Sequence, residues 1–222
     1  MPRLTSLIAA SLVLLSVGDA ASEETSPPHS ERPWAWNWHQ WRGPDASGVA
    51  PHGDPPVTWS EDKNIRWKVP IEGRGTATPI VWENRVFLVT AIDTGQVDAD
   101  FVPPTGLPDN PFGITYPNTF HQYVVICLDL ESGEEHWRRV AARRVPSEGH
   151  HGDNSFASAS PTTDGKRLYV WFGSAGLHCY DLDGQLLWSR DLGAARTRLS
   201  FGEASSPVIH QDKLIVTRDQ ED

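Results

Sequence analysis

The sequence predicts an all-β fold, a partial β-propeller of four-stranded antiparallel blades with about two and a half blades present. Three observations predict it. The stretches from Thr76 (TATPIVWENRVFLV), Ser158 (SASPTTDGKRLYVW) and Ala204 (ASSPVIHQDKLIVT) align on Pro79, Pro161 and Pro207 without a gap. In each copy a cation follows at a fixed offset, Arg85, Arg167 or Lys213, and three apolar or aromatic residues come next. Secondly, residues 158–188 read as a four-stranded meander. Its β-prone runs are broken at Asp164-Gly165 and Asp183-Gly184, and Asp-Gly between apolar runs is the strongest short-range hairpin signal. Thirdly, the second half of the unit repeats: Cys127-Leu128-Asp129-Leu130, Gly133 and Trp137 match Cys179-Tyr180-Asp181-Leu182, Gly184 and Trp188.

Taken in order, residues 1–20 have the layout of a signal peptide. Arg3 precedes an apolar run from Leu7 to Val17, and Gly18-Asp19-Ala20 supplies small residues for cleavage. That run is too short for a spanning helix, and no cysteine at the cleavage point offers a lipid anchor. Export with cleavage after Ala20 follows, to a periplasmic or extracellular location. Residues 21–33 are Ser, Glu and Pro with little apolar content, the composition of a disordered leader. The propeller part is expected over 34–222. Trp34, Trp36 and Trp38 alternate, so an extended segment would carry three indoles on one side. They form either a carbohydrate platform or a strip packed across the propeller, and the size of an indole favours packing. Residues 64–70 resemble a blade ending, with Trp67 in the place of Trp137 and Trp188, and are assigned as a closing strand. The first blade runs over 76–137, enlarged by an insert at 91–121 whose prolines and glycines predict a loop. The second blade runs over 158–190, and 204–222 begins the next.

Composition narrows the chemistry. A net charge of −10 argues against nucleic acid and anionic membranes as partners. The one basic cluster, Arg138, Arg139, Arg143 and Arg144, is read as a solvated surface. Ten tryptophans against one methionine, at recurring positions, suggest structural wedges. Cys127 and Cys179 occupy equivalent points of successive blades, usually beyond the ~7 Å a disulfide tolerates, so small buried thiols are expected. In the first interblade link, Glu148-Gly149-His150-His151-Gly152-Asp153 has metal-ligand residue types. Sequential histidines point apart in extended chain, however, and no third spaced ligand stands out, so no metal is expected. The second link carries Arg196, Arg198 and Glu203. The candidate site is therefore a loop site near the propeller axis, at His150, His151, Arg198 and Glu203. No catalytic residue is assigned: carboxylates abound without a distinctive pair, and there is no nucleophile elbow, P-loop or dinucleotide glycine pattern.

The recurring Leu-Asp-x-x-x-Gly-x-x-x-Trp pattern at Leu128-Asp129, Gly133 and Trp137, with its shortened copy at Tyr180-Asp181, Gly184 and Trp188, resembles the pyrroloquinoline-quinone-like (PQQ-like) repeat. Gln40-Trp41-Arg42-Gly43-Pro44, Glu148-Gly149-His150-His151 and Phe156-Ala157-Ser158-Ala159-Ser160-Pro161 look like a group of exported bacterial proteins of that repeat. The resemblance covers nearly everything after Trp38. It implies a propeller fold and two kinds of relative. Quinoprotein dehydrogenases bind the quinone and calcium on the axis, and many carry adjacent cysteines over it, which this chain lacks. BamB-like outer-membrane assembly lipoproteins use the repeat purely as a binding scaffold and carry a lipidated cysteine, which this chain lacks. The expected function is an exported, non-catalytic scaffold for a protein or cell-envelope component, without cofactor. A PQQ-dependent oxidoreductase with calcium and a carbohydrate-binding propeller are the alternatives. Propellers close with ~4–8 blades. Closure is therefore expected to come from further blades of a longer chain or from self-association.

Overall fold

The computed structural model describes residues 10–16, 33–102, 114, 116–197 and 199–219. Its strands are β1 (Ala10–Ser16), β2 (Ile80–Trp82), β3 (Arg85–Val97), β4 (Thr119–Asp129), β5 (Glu135–Arg144), β6 (Thr162–Thr163), β7 (Arg167–Trp171), β8 (Leu177–Asp181), β9 (Leu186–Arg190), β10 (Val208–His210) and β11 (Lys213–Asp219). They form three antiparallel sheets ordered β2-β3-β4-β5, β6-β7-β8-β9 and β1-β11-β10. The first two are complete four-stranded blades, and β10 and β11 are the opening hairpin of a third. The architecture is that of an all-β partial propeller.

Strand periodicity explains why the apolar runs are continuous rather than alternating. Successive side chains point to opposite faces of a sheet, so a strand sandwiched on both sides needs apolar residues at every position. Phe87, Val89, Val125 and Cys127 of the first blade pack against Leu168, Val170 and Tyr180 of the second. The residues between them, Val86, Val124 and Ile126, face the other way and are covered by Trp67 and Ile71. Tyr169, Trp171, Leu177 and Cys179 then meet Leu214 and Val216 of the third sheet.

The repeated residues make repeated interblade contacts. Trp137 donates its indole N–H to the Leu182 carbonyl at 3.0 Å, and its ring lies over Gly184. Trp67 does the same one blade earlier, to the Leu130 carbonyl at 2.9 Å and over Gly133. Gly184 and Gly133 have φ of +81° and +75°, and a Cβ on either would sit 2.6 Å from an indole carbon. Asp129 and Asp181 fold these turns by accepting backbone N–H bonds, from Glu131 and Ser132 and from Asp183 and Gln185. Arg85 donates to the Leu182 carbonyl and to Asp183. At the inner strands the residue before each proline links neighbours: the Thr78 N–H donates to Ser160 Oγ, and the Ser160 N–H to Ser206 Oγ. Trp67 and Trp137 are wedges with a hydrogen bond at the tip.

Several local expectations change. Residues 64–70 form no strand, although Trp67 docks as a blade-ending tryptophan would. The 91–121 segment is not all loop. β3 and β4 continue as a paired ladder to Val97 and Thr119, with an irregularity between Asp93 and Val97. The prolines of the segment lie only from Pro103 to Pro117, so the flanking residues remain free to pair. Pro33–Trp36 is a 3-10 turn rather than extended chain. Trp34 packs on the interblade core, Trp38 packs on Gly43 and Trp36 points to solvent, so no three-indole face exists. The Trp38 and His39 carbonyls accept N–H bonds from Val81 and Thr163, fastening this segment across the innermost strands of two blades. Cys127 and Cys179 are free and buried. Each faces the blade that follows its own, so the second sheet lies between them. The apolar run at the N-terminus pairs through β1 with β11, and no helix among the described residues is long and apolar enough to cross a membrane.

Candidate functional site

A group of polar side chains converges where the two interblade links cross the first and second blades. A cavity of about 30 Å³ is walled by Tyr123 of β4, Arg144 at the end of β5, Glu148 and Phe156 of the first link, the Phe172–Ala175 turn, and Glu203 of the second link. The first link follows β5 and the second follows β9, so the blade repeat itself brings them side by side.

Glu148 is 4% exposed. Its carboxyl accepts from the Thr197 N–H at 2.9 Å and the Thr197 hydroxyl at 3.2 Å, tying the first link to the second. Burial pushes this carboxyl up to about 7, and the nearby Glu203 charge adds to the rise, against the Thr197 hydrogen bonds. Glu203 accepts from the Ser174 N–H at 2.5 Å, and burial raises its pKa too. Gly173, at φ +58°, leaves the space that the Glu203 side chain fills. Ser174 is the hub of the group. Its N–H donates to Glu203, its carbonyl accepts from Arg144 at 2.8 Å, and its hydroxyl accepts from the Ala195 N–H at 2.8 Å. Arg144 also reaches Asp191 at 3.1 Å.

The residues singled out in the sequence divide. Glu203 lies on this cavity. His150 and His151 stand beside it, occupied locally: His150 Nδ1 meets the His151 carbonyl at 2.7 Å, and its ring is edge-on to Phe156. His151 receives the Asp153 N–H and packs edge-on to Phe201. Arg198 lies outside the described residues. Among the described residues no group of three His, Cys, Asp or Glu side chains is placed to hold a metal ion. Sequence reasoning missed Glu148, Ser174 and Arg144 as a unit. The basic cluster is not simply solvated: Arg139 donates to the Gly184 carbonyl, Arg143 to Gln96, and Arg144 to Ser174. A strand-end arginine one blade away from a Gly-Ser turn was the available signal, legible only once blade order was known.

Chemically the arrangement is a brace. Two carboxyls and a guanidinium fasten two links and a turn through backbone groups. The enclosed volume of about 30 Å³ suits two or three waters, since a water needs roughly 10–15 Å³ by such a measure.

Stacked four-stranded antiparallel blades, joined by tryptophan-to-turn docking, define a β-propeller repeat protein. The family model described as "Outer membrane protein assembly factor BamB" matches residues 120–221. Over those residues the chain carries the PQQ-like propeller repeat. No curated protein matches it. Among solved structures it is similar to a europium-containing methanol dehydrogenase, at 14% identity and a TM-score of 0.26, with 55% of this chain covered. The chain spans 25% of that enzyme's length.

Proposed function

We propose that the protein works as an exported, non-catalytic β-propeller scaffold that binds a protein or another cell-envelope component. The observation that carries this reading is the concentration of exposed large apolar side chains on the N-terminal segment. Trp36 (68% exposed), Val57 (93%) and Trp59 (69%) lie on it, with Trp41 and Ile65. Aromatic residues left at the surface of a rigid body are typical anchors of protein interfaces. The Trp38 and His39 carbonyls hold the start of the segment, so Trp36 and Trp41 are presented next to a fixed base. The family description, an outer-membrane assembly factor, supports a protein partner. The apolar run 7–17 with its small-residue cleavage pattern supports export.

The cavity between the two links does not fit pyrroloquinoline quinone. That group is a tricyclic tricarboxylate, whereas the cavity is about 30 Å³ and has Glu148 and Glu203 in its wall. The wall's cation, Arg144, is engaged with Ser174 and Asp191.

The test is capture from a cell-envelope extract by the protein and by its Trp36→Ser, Trp59→Ser double variant. Equal thermal melts should accompany loss of the captured component in the variant. An identical captured set from both would sink the reading. Titration with quinone and calcium is expected to leave the quinone spectrum unchanged, and a saturable shift would restore the oxidoreductase alternative.

A further inference from the structure

The cavity between the two links has walls of two kinds. Tyr123, Phe156 and Phe172 supply aromatic rings, and Glu148 and Glu203 supply carboxyls. Tyr123 and Phe172 meet edge to face at 5.4 Å, which fixes both rings. Tyr123 is 3% exposed, yet among the described residues its hydroxyl has no hydrogen-bond partner. The Arg144 and Glu203 charges both act on this hydroxyl, which places it with them at the cavity. A buried hydroxyl without a partner is costly, so this one calls for a polar group inside the cavity.

The two carboxyls lack a countercharge in contact. Arg144 is matched by Asp191 and by the Ser174 carbonyl. Arg196 and Arg218 act on Glu148 and Glu203 only from beyond ion-pair distance. A carboxylate offers about four lone-pair directions. Glu148 bonds Thr197 and Glu203 bonds Ser174, so each keeps acceptors for a further donor. A hard metal ion takes about six or more oxygens, whereas three of these walls are aromatic. An ammonium group needs only three acceptors, and aromatic rings attract it from the remaining sides. Its head is close to a water in size, and a volume of about 30 Å³ leaves room for the first carbon.

We propose that this cavity is a binding site for a primary ammonium group. Its three N–H donors meet Glu148, Glu203 and the Tyr123 hydroxyl, and its first carbon lies on the Phe156 and Phe172 rings. The head belongs to a small free amine or to a lysine side chain. The site is separate from the exposed aromatics of the N-terminal segment, so it does not depend on what they bind. Holding the cation requires Glu148 to be ionised. Arg144, Arg196 and Glu203 are the other charges acting around the cavity, with Tyr123 the remaining titratable group. Burial raises Glu148 to about 7, so its ionised fraction grows about tenfold between about pH 6 and pH 8. Binding should tighten by that factor.

The test titrates the full chain at constant ionic strength with methylammonium, Nα-acetyl-lysine amide, tetramethylammonium or potassium chloride. The backbone N–H resonances of Ser174 and Thr197 report occupancy, because they donate to the two carboxyls. They are assigned by their shifts in Glu203→Gln and Glu148→Gln. Methylammonium should move both saturably. Tyr123→Phe should weaken binding about fivefold and leave the thermal melt unchanged, because the hydroxyl bonds no described protein group. Glu148→Gln keeps an acceptor for Thr197, and should weaken binding about tenfold at pH 8 and flatten its pH dependence. Tighter binding of the blocked lysine than of methylammonium supports a protein side chain as the source. The reverse order supports a free amine, and either order upholds the site. No saturable shift with either amine leaves the cavity to water and overturns the proposal. Equal shifts from potassium or tetramethylammonium, or an affinity unmoved by Tyr123→Phe, overturn it as well.

Discussion

Replacing Gly184 with alanine tests whether tryptophan docking holds neighbouring blades together. Two costs are expected. At φ +81° an alanine sits in the left-handed region, which costs about 1 kcal/mol over glycine. The new Cβ would also lie 2.6, 2.9 and 3.0 Å from three carbons of the Trp137 ring, where contact is comfortable only at roughly 3.5–4.0 Å. The ring must move by about 1 Å, an overpacking cost of about 1–3 kcal/mol. That movement also weakens the 3.0 Å bond from the indole N–H to the Leu182 carbonyl, worth about 1 kcal/mol net. The sum is about 3–5 kcal/mol, a large share of an ordinary domain's stability. Gly193 is an internal control. Its φ is +80°, yet nothing lies within 4 Å of its Cβ, so Gly193→Ala should cost only the backbone part, about 1 kcal/mol. Urea unfolding followed by far-ultraviolet circular dichroism reads both. Equal losses for the two variants would refute the docking account. In the same assay Trp137→Leu should make the Gly184→Ala loss smaller, because the clashing ring is gone.

Two further outcomes are expected. The Glu148 carboxyl is raised from 4.5 to about 7 in the folded protein, so folding favours its protonated form. Its contribution is fully present below about pH 4.5, falls as pH rises between about 4.5 and 7, and stays lost above that. The gap corresponds to at most ~3 kcal/mol, and solvent at the cavity mouth should reduce it to ~1–2 kcal/mol. Glu148→Gln keeps an acceptor for Thr197, so the decline in urea stability between about pH 5 and pH 8 should shrink by that amount. An unchanged slope would show that Glu148 titrates normally. Burial pushes the Cys127 and Cys179 thiols up to about 12. Both should therefore resist a thiol reagent near pH 8 in the native protein and react once it is unfolded. Labelling of the native protein at the unfolded rate would contradict their burial.

The blades were legible in the sequence because their signals are local. Asp-Gly dipeptides, cations at a fixed offset from proline, and continuous apolar runs each specify a turn or a strand within a few residues. The candidate site was only half legible for the opposite reason. Glu203 and the Glu148-Gly149-His150-His151 stretch could be noticed as polar groups in links. Nothing near Glu148 in the chain says that it will meet Thr197, and Arg144 looks like any surface arginine until blade order sets it against the Ser174 carbonyl. The Trp34–Trp38 alternation misled because a 3-10 turn has a different period from a strand, so Trp34 and Trp36 diverge.

What the sequence determined by itself is the repeat: the blade, its two-sided apolar pattern and the wedge tryptophans. Backbone propensity and side-chain period act over a few residues and need no knowledge of the rest of the chain. Tertiary structure alone decided which glycine each tryptophan covers. It also decided which carboxyls share a cavity, and that the N-terminal apolar run takes a strand's place beside β11. These are contacts between residues 45 or more apart in the chain, as for Trp137 and Leu182 or Glu148 and Thr197. Only the stacking of whole blades sets such distances.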